Sequence, residues 1–367
     1  MLASLLSVLL VLSILAGISP SAYGASESNI LDCAEFKCDE YGWEGPVVVL
    51  KNDGTISFLF RKTYDFMDDW EITPDVEKKL EIIRGWKNVV QIAVKEVTIA
   101  ALLEDGTVKV LSLYDDEYVP DLSKVEKWKN IRSLVGFNGI HLFALGYDGK
   151  LYVAGQDRLN KMDRYDFSRW QDLKKVACCN ADGDECLLGL KADGTVLDIL
   201  DSSYLGEDSW SGDSENIVDI AVMRSMNAAL RADGTVIIQG LDRENYEKEV
   251  SSWNNIVRIF AHHNYGLVGV KSDGSLVMTE PIGYYEDQYQ EIANWRNSKE
   301  IYSSENGMVV ALGENGKLDI CPSYYEDWEE MKEWTRIDRL YLGSNFVIGW
   351  KRDGSIVTWN IDLTEID

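Results

Sequence analysis

The chain has 367 residues, 46% of them hydrophobic, and sets 36 Lys and Arg against 62 Asp and Glu for a formal net charge of −26. A surface this acidic repels phosphate backbones and anionic lipid, which excludes nucleic-acid binding and electrostatic membrane attachment as primary functions. The expected partners are proteins with neutral or basic surfaces.

Residues Leu2 to Ala16 form an apolar run too short to span a bilayer comfortably, followed by Pro20 and the small-residue pattern Ala22-Tyr23-Gly24. We read residues 1–24 as a signal peptide cleaved after Gly24, although its first residues carry no Lys or Arg. Residues 25–367 then form one exported domain, secreted or held at the cell surface, with no membrane span after cleavage.

Eight turns punctuate that domain: Asp53-Gly54, Asp105-Gly106, Asp148-Gly149, Asp193-Gly194, Asp233-Gly234, Asp273-Gly274, Asn315-Gly316 and Asp353-Gly354. Successive turns lie 52, 43, 45, 40, 40, 42 and 38 residues apart, the range of blade-like repeats. Three residues before and after each Asp or Asn the chain is apolar, as at Leu50 and Ile56 or Trp350 and Ile356. A loop of only Asp-Gly would put those flanks out of register. A type I turn ending in a left-handed bulge glycine sets them opposite one another and predicts an antiparallel hairpin in each unit.

Upstream of seven turns, by 19 to 23 residues, stands Trp86, Trp128, Trp170, Trp210, Trp253, Trp295 or Trp334. In most units apolar residues follow three and six positions later (Trp86, Val89, Ile92), which predicts a third strand. The first unit lacks the tryptophan, and Ile30 to Phe36 is its candidate first strand. No segment shows a sustained helical period. A lone three-stranded unit cannot bury both faces, so the fold class is all-β, a β-propeller of seven or eight three- to four-stranded antiparallel blades, expected to be a monomer. The tryptophans are expected to wedge between blades.

Six cysteines remain after cleavage. Export permits disulfides, and the local candidates are Cys33 with Cys38 and one of Cys178 or Cys179 with Cys186. No histidine lies near either group, so no zinc site is expected. His141 falls on a strand as a packed core residue, whereas His262 and His263 occupy a loop. No nucleophile elbow, phosphate-binding glycine loop or metal-binding histidine pair occurs, and neither catalytic residues nor a cofactor are assigned.

Behind the hairpins, several units mix aromatic and acidic residues: Tyr64 to Trp70, Tyr114 to Tyr118, Tyr284-Tyr285 with Tyr289, and Tyr324-Tyr325 with Trp328. These segments share one phase of the repeat, so ring closure should bring them to one rim. Such loops either pack on neighbouring blades or form a rim that recognises a protein or glycan through tyrosine and tryptophan.

The unit resembles the repeat of the regulator of chromosome condensation family. Matching residues include Ile92-Ala93, Ala101-Leu102 and Asp105-Gly106, His141 with Ala144-Leu145 and Asp148-Gly149, and Lys271 to Leu276, with Trp359, Gly155 and Gly240 at further family positions. The compact spacing is similar to the bacterial secreted branch, which includes a propeller-type β-lactamase inhibitory protein. The family histidine recurs only at His141, and the residues by which the nuclear member promotes nucleotide exchange find no match. The resemblance implies the propeller. Three functions are open: a non-catalytic protein-binding module, a carbohydrate-active enzyme using paired carboxylates, and, by family analogy alone, a guanine-nucleotide exchange factor.

Overall fold

The computed structural model describes residues 30–37, 44–61, 73–114, 121–138, 141–155, 167–178, 186–200, 210, 216–223, 226–240, 243–262, 266–279, 292, 295–296, 298–303, 308–321, 328–343, 346–361 and 363–366. Within them every x-Asp-Gly or x-Asn-Gly turn closes the hairpin its flanks specify. In the first, the Gly54 N–H donates to Lys51 O at 2.9 Å and the Lys51 N–H to Thr55 O at 2.8 Å, a type I turn with a bulge glycine. Leu50 therefore pairs with Ile56, and the same register recurs through Leu230 with Val236 to Trp350 with Ile356. The Asp53 carboxylate locks the turn by accepting the Thr55 N–H at 2.9 Å.

A third strand pairs antiparallel with the first arm of each hairpin, giving eight separate sheets over residues 30–61, 89–112, 131–154, 173–200, 217–240, 256–278, 298–321 and 337–359. We number these blades 1 to 8 and their strands inner, middle and outer in chain order. The inner strands of successive blades lie against each other, as in blades 1 and 2 or 5 and 6. The fold is an eight-bladed propeller. Ile30–Lys37 is a complete inner strand, so the first unit is a true blade despite its missing tryptophan.

The seven repeat tryptophans are all buried, as the wedge reading requires. Trp86 packs among Leu50, Ile56 and Phe58 of blade 1 and Val89 and Ile92 of blade 2, and Trp253 among Val236 and Ile238 of blade 5 and Ile256 and Ile259 of blade 6. Truncating a core tryptophan to alanine costs about 3–5 kcal/mol, so each wedge is a major part of its joint. The ring closes through a second device. The C-terminal strand Leu363–Ile366 adds antiparallel to the outer strand of blade 1, with Leu363 opposite Arg61, and makes that sheet four-stranded. Val47, Val49 and Leu59 of blade 1 meet Phe346, Ile348 and Trp350 of blade 8 in one apolar seam.

The expectation of no helix is corrected. Pro74–Arg84 (α1) and Arg243–Val250 (α2) are α-helices between blades, and Glu329–Lys332 (α3) is a single turn. Thr73 caps α1 by accepting the Val76 N–H at 3.3 Å, Pro74 opens it, and Val76, Leu80 and Ile83 face blades 1 and 2 at helical spacing. These signals were present in the sequence but occupy one connection only, so they are invisible to a search for what repeats.

The turn glycine also has a role beyond its hairpin. A Cβ on Gly234, at φ 83°, would lie 3.1 Å from the Cα of Asn255, the residue that leads into blade 6. A Cβ on Gly354, also at φ 83°, would meet nothing within 4 Å. Gly354→Ala should therefore cost only the left-handed backbone penalty of roughly 1–2 kcal/mol, and Gly234→Ala measurably more. Equal losses for the two variants in chemical denaturation would show that the turn is not a blade-to-blade contact.

Candidate functional site

Among the described residues the start of the inner strand follows one plan in six blades. A residue in left-handed conformation precedes it: Asn88, Asn130, Asp172, Asn216, Asn255 and Arg336 have φ between 57° and 61°. Its carbonyl accepts a turn N–H of its own blade, as Asn255 O does from Ser272 at 2.9 Å. The next N–H reaches back to the preceding blade's turn glycine, as Val89 N does to Gly54 O at 3.0 Å and Ile256 N to Gly234 O at 3.1 Å. One residue further the register slips in every inner strand, between Val89 and Gln91 in blade 2 and at the same point in the others.

After this bulge the inner strands carry, in blade order, Asp32, Gln91, Ser133, Lys175, Asp219, Arg258, Glu300 and Arg339. All eight are polar, and each is buried or half-buried. Gln91 bonds Leu134 of blade 3 through both amide atoms, at 2.9 and 2.8 Å. Lys175 Nζ donates to Asp219 Oδ1 at 2.5 Å and to Ile220 O at 3.0 Å, both in blade 5. Asp219 Oδ2 accepts the Ile259 N–H of blade 6 at 3.3 Å. Arg258 lies in the fields of Asp219 and Glu300, whose charges support the guanidinium against burial. Arg339 closes the circle by donating to Leu31 O of blade 1, beside Asp32. From blade 4 round to blade 1 the charges alternate in sign. Gln91, Lys175, Asp219 and Arg339 thus bond across blade joints, whereas Glu300 accepts the Tyr302 hydroxyl of its own strand and Ser133 Oγ is buried without a partner among the described residues.

Sequence reasoning missed the belt. Its signal is a polar residue five positions after the tryptophan in six units, from Trp86–Gln91 to Trp334–Arg339, which a period-two reading assigns to a solvated face.

The aromatic segments leave from the opposite rim. Inner strands start beside the turns and outer strands end away from them, so the outer strands of blades 1, 2, 6 and 7 reach the far rim at Arg61, Ser112, Met278 and Cys321. Ring order makes blades 6, 7, 8, 1 and 2 consecutive, so these four departure points share one sector, although Tyr64 and Tyr325 are far apart in sequence. Tyr114 and Trp328 lie among the described residues, and both are partly buried. Tyr114 packs on the joint of blades 1 and 2, while Trp328 packs on that of blades 7 and 8 under Lys332 Nζ at 4.2 Å from its ring. These two take part in interblade packing. Tyr64, Trp70, Tyr118, Tyr284, Tyr285, Tyr289, Tyr324 and Tyr325 lie outside the described residues.

His141 is buried, its ring 6.3 Å from Phe143, as expected of a core residue. His262 ends the inner strand of blade 6 opposite Gly266. Cys33 is a free thiol packed in the closing seam, and Cys38, the partner proposed for it, lies outside the described residues, as does Cys179. Cys178 lies opposite Leu187 in blade 4. Among the described residues no three His, Cys, Asp or Glu side chains are grouped to hold a metal ion, and no helix is long and apolar enough to cross a membrane.

No family model and no curated protein matches the chain. Solved structures similar to it include the computationally designed Ika8 protein, at 16% identity over 91% of this chain and 96% of that one with a TM-score of 0.47. The ectodomain of the Physcomitrella patens receptor kinase CR4 is similar at 12% identity over 73% and 71% of the two chains, TM-score 0.44. Yeast RCC1 (Prp20), solved with Kap60, is similar at 13% identity over 74% and 69%, TM-score 0.39. The eight-bladed ring itself stands on the strand pairing described above.

The belt carries a pH dependence at its closing joint. Burial raises the Asp32 carboxyl from 3.8 to about 6, outweighing the Cys33 N–H and the nearby Arg339. The folded chain thus takes up this proton before the unfolded chain does. The contribution is fully present below the unfolded value and is lost as pH rises through about 6. Asp32→Asn, which mimics the protonated form, should exceed the parent in stability by on the order of 2–3 kcal/mol at pH 8 and converge with it near pH 3.5. A variant less stable than the parent at pH 8 would show that the carboxylate form is the favoured one.

Proposed function

We propose that residues 25–367 act as a non-catalytic protein-binding propeller, secreted or held at the cell surface after removal of residues 1–24, and monomeric. The observation that supports this reading is that the outer strands leading into the four aromatic and acidic segments end on the far rim of blades 6, 7, 1 and 2. The belt and the tryptophan wedges are used up in holding the ring, so the insertions behind the hairpins are the parts of the repeat free to vary. Tyrosine and tryptophan supply contact area at low entropic cost, and the acidic residues among them select a partner with a neutral or basic surface. Export is supported by the apolar run from Leu2 to Ala16 and the small-residue pattern before Ala25.

Replacing Tyr284, Tyr285, Tyr324 and Tyr325 together with alanine should abolish capture of a partner from culture supernatant or host surface and leave the melting temperature unchanged. The corresponding change at Tyr165 and Tyr204, behind blades 3 and 4, should leave capture intact. Capture that survives the first set, or falls equally with the second, would remove the sector as the binding surface.

A further inference from the structure

One joint breaks the apolar rule that the other blades keep. Six residues before the turn Asp or Asn, seven blades carry a buried valine, isoleucine or leucine, Leu187 and Leu267 in the blades flanking the exception. Blade 5 carries Asn227, 1% exposed. Among the described residues its Oδ1 and Nδ2 both lack a hydrogen-bond partner, and so do Oε1 of Gln239, its cross-strand neighbour, and Nε1 of Trp210. Asn227 and Gln239 share the face of Ala229 and Ile237, which is turned towards blade 4. Across the joint, blade 4 carries Asp198, in line with Val196 and beside Leu188 on the same face, where the flanking blades have Val153 and Ile238. Two departures from the repeat thus meet in one joint, at its far-rim end. Buried polar groups without partners are costly, and a site that keeps several together is built to be filled.

The ligand's chemistry follows from the atoms. Asn227 and Gln239 can satisfy one bond between themselves, Nδ2 to Oε1, which leaves the Asn227 carbonyl oxygen as an acceptor beside the half-buried Asp198 carboxylate, which takes the Trp210 backbone N–H and keeps further lone pairs for a ligand. Of the lysines at this joint, Lys175 is committed to Asp219 and Lys174 to Ile217 O at the other end. One carboxylate with carbonyl oxygens matches the single charge and forked donors of a guanidinium, whereas a hard divalent cation requires about six oxygens. We propose that the far-rim end of the joint between blades 4 and 5 receives an arginine side chain from a basic partner. This rests on the protein-binding reading above and adds to it a specific pocket outside the aromatic sector.

The test is calorimetric titration of the full chain with N-acetyl-arginine amide, N-acetyl-glutamine amide and calcium chloride. Asn227→Leu and Asp198→Val restore residues that other blades carry, so both variants should fold. Saturable binding of the arginine amide alone, weakened at least tenfold in each variant, is the expected result. Asn227→Leu should also raise the melting temperature, because it removes a buried amide that the free protein leaves unpaired. No saturable binding of the arginine amide, binding undiminished in both variants, equal binding of the glutamine amide, or binding of calcium alone would overturn the proposal. So would a lower melting temperature for Asn227→Leu, which would mean that the amide is already partnered in the free chain. Because the tyrosine substitutions behind blades 6 and 7 leave this joint untouched, failure here and failure of the rim reading are separately visible.

Discussion

The ring depends on the register slip at the start of every inner strand. A β-bulge places two residues of one strand against one of its partner and so turns consecutive side chains towards the same side. Here that side is the next blade, which gives Lys175 its reach to Asp219 and Gln91 its reach to Leu134. The left-handed residue just before the bulge brings the strand close enough for its N–H to meet the preceding turn glycine. Hairpin, wedge and belt are consequently one joint repeated round the ring: neighbouring sheets are tied by single backbone bonds such as Val89 N to Gly54 O and by belt side chains, and among the described residues a strand from beyond a blade's own repeat is added to its sheet only at the C-terminal strand.

Much of this was legible in the sequence. Hairpin register follows from local chemistry, since an Asp-Gly pair with apolar residues three positions to either side admits one bulged turn, and the structure pairs Leu50 with Ile56 accordingly. Burial of the tryptophans follows from their recurrence. The belt could not be read in the same way, because Lys175 and Asp219 are 44 residues apart and become partners only when blades 4 and 5 are stacked. A polar residue in an alternating strand has the same appearance whether it meets water or an opposite charge. Helix α1 is hidden differently: Thr73-Pro74 and the spacing of Val76, Leu80 and Ile83 are ordinary helix signals, but they stand in one connection and have no counterpart in the other repeats.

For function, repetition acts as a filter. Positions that recur are explained by the ring, and departures from recurrence need another explanation. The aromatic insertions depart by composition behind blades 1, 2, 6 and 7. Asn227 departs by a single substitution at a position that is otherwise aliphatic, and Asp198 by the one charged residue at a position that is otherwise uncharged. The first kind of departure is visible in the sequence. The second requires knowing that both side chains face the same joint. Closure of the ring also converts sequence distance into proximity, which is why segments near the two ends of the chain can serve one sector.

The central claim is that neighbouring blades are held in register by directional polar contacts within the belt as well as by apolar packing, and the Lys175–Asp219 pair tests it most directly. A double-mutant cycle with Lys175→Met and Asp219→Leu, followed by chemical denaturation, should show each single variant losing about 3–5 kcal/mol, because each strands a buried charge. The double variant should recover at least about 1.5 kcal/mol of the summed loss. Losses that add to within about 0.5 kcal/mol would contradict the account, since they would mean that the two side chains stabilise their blades independently.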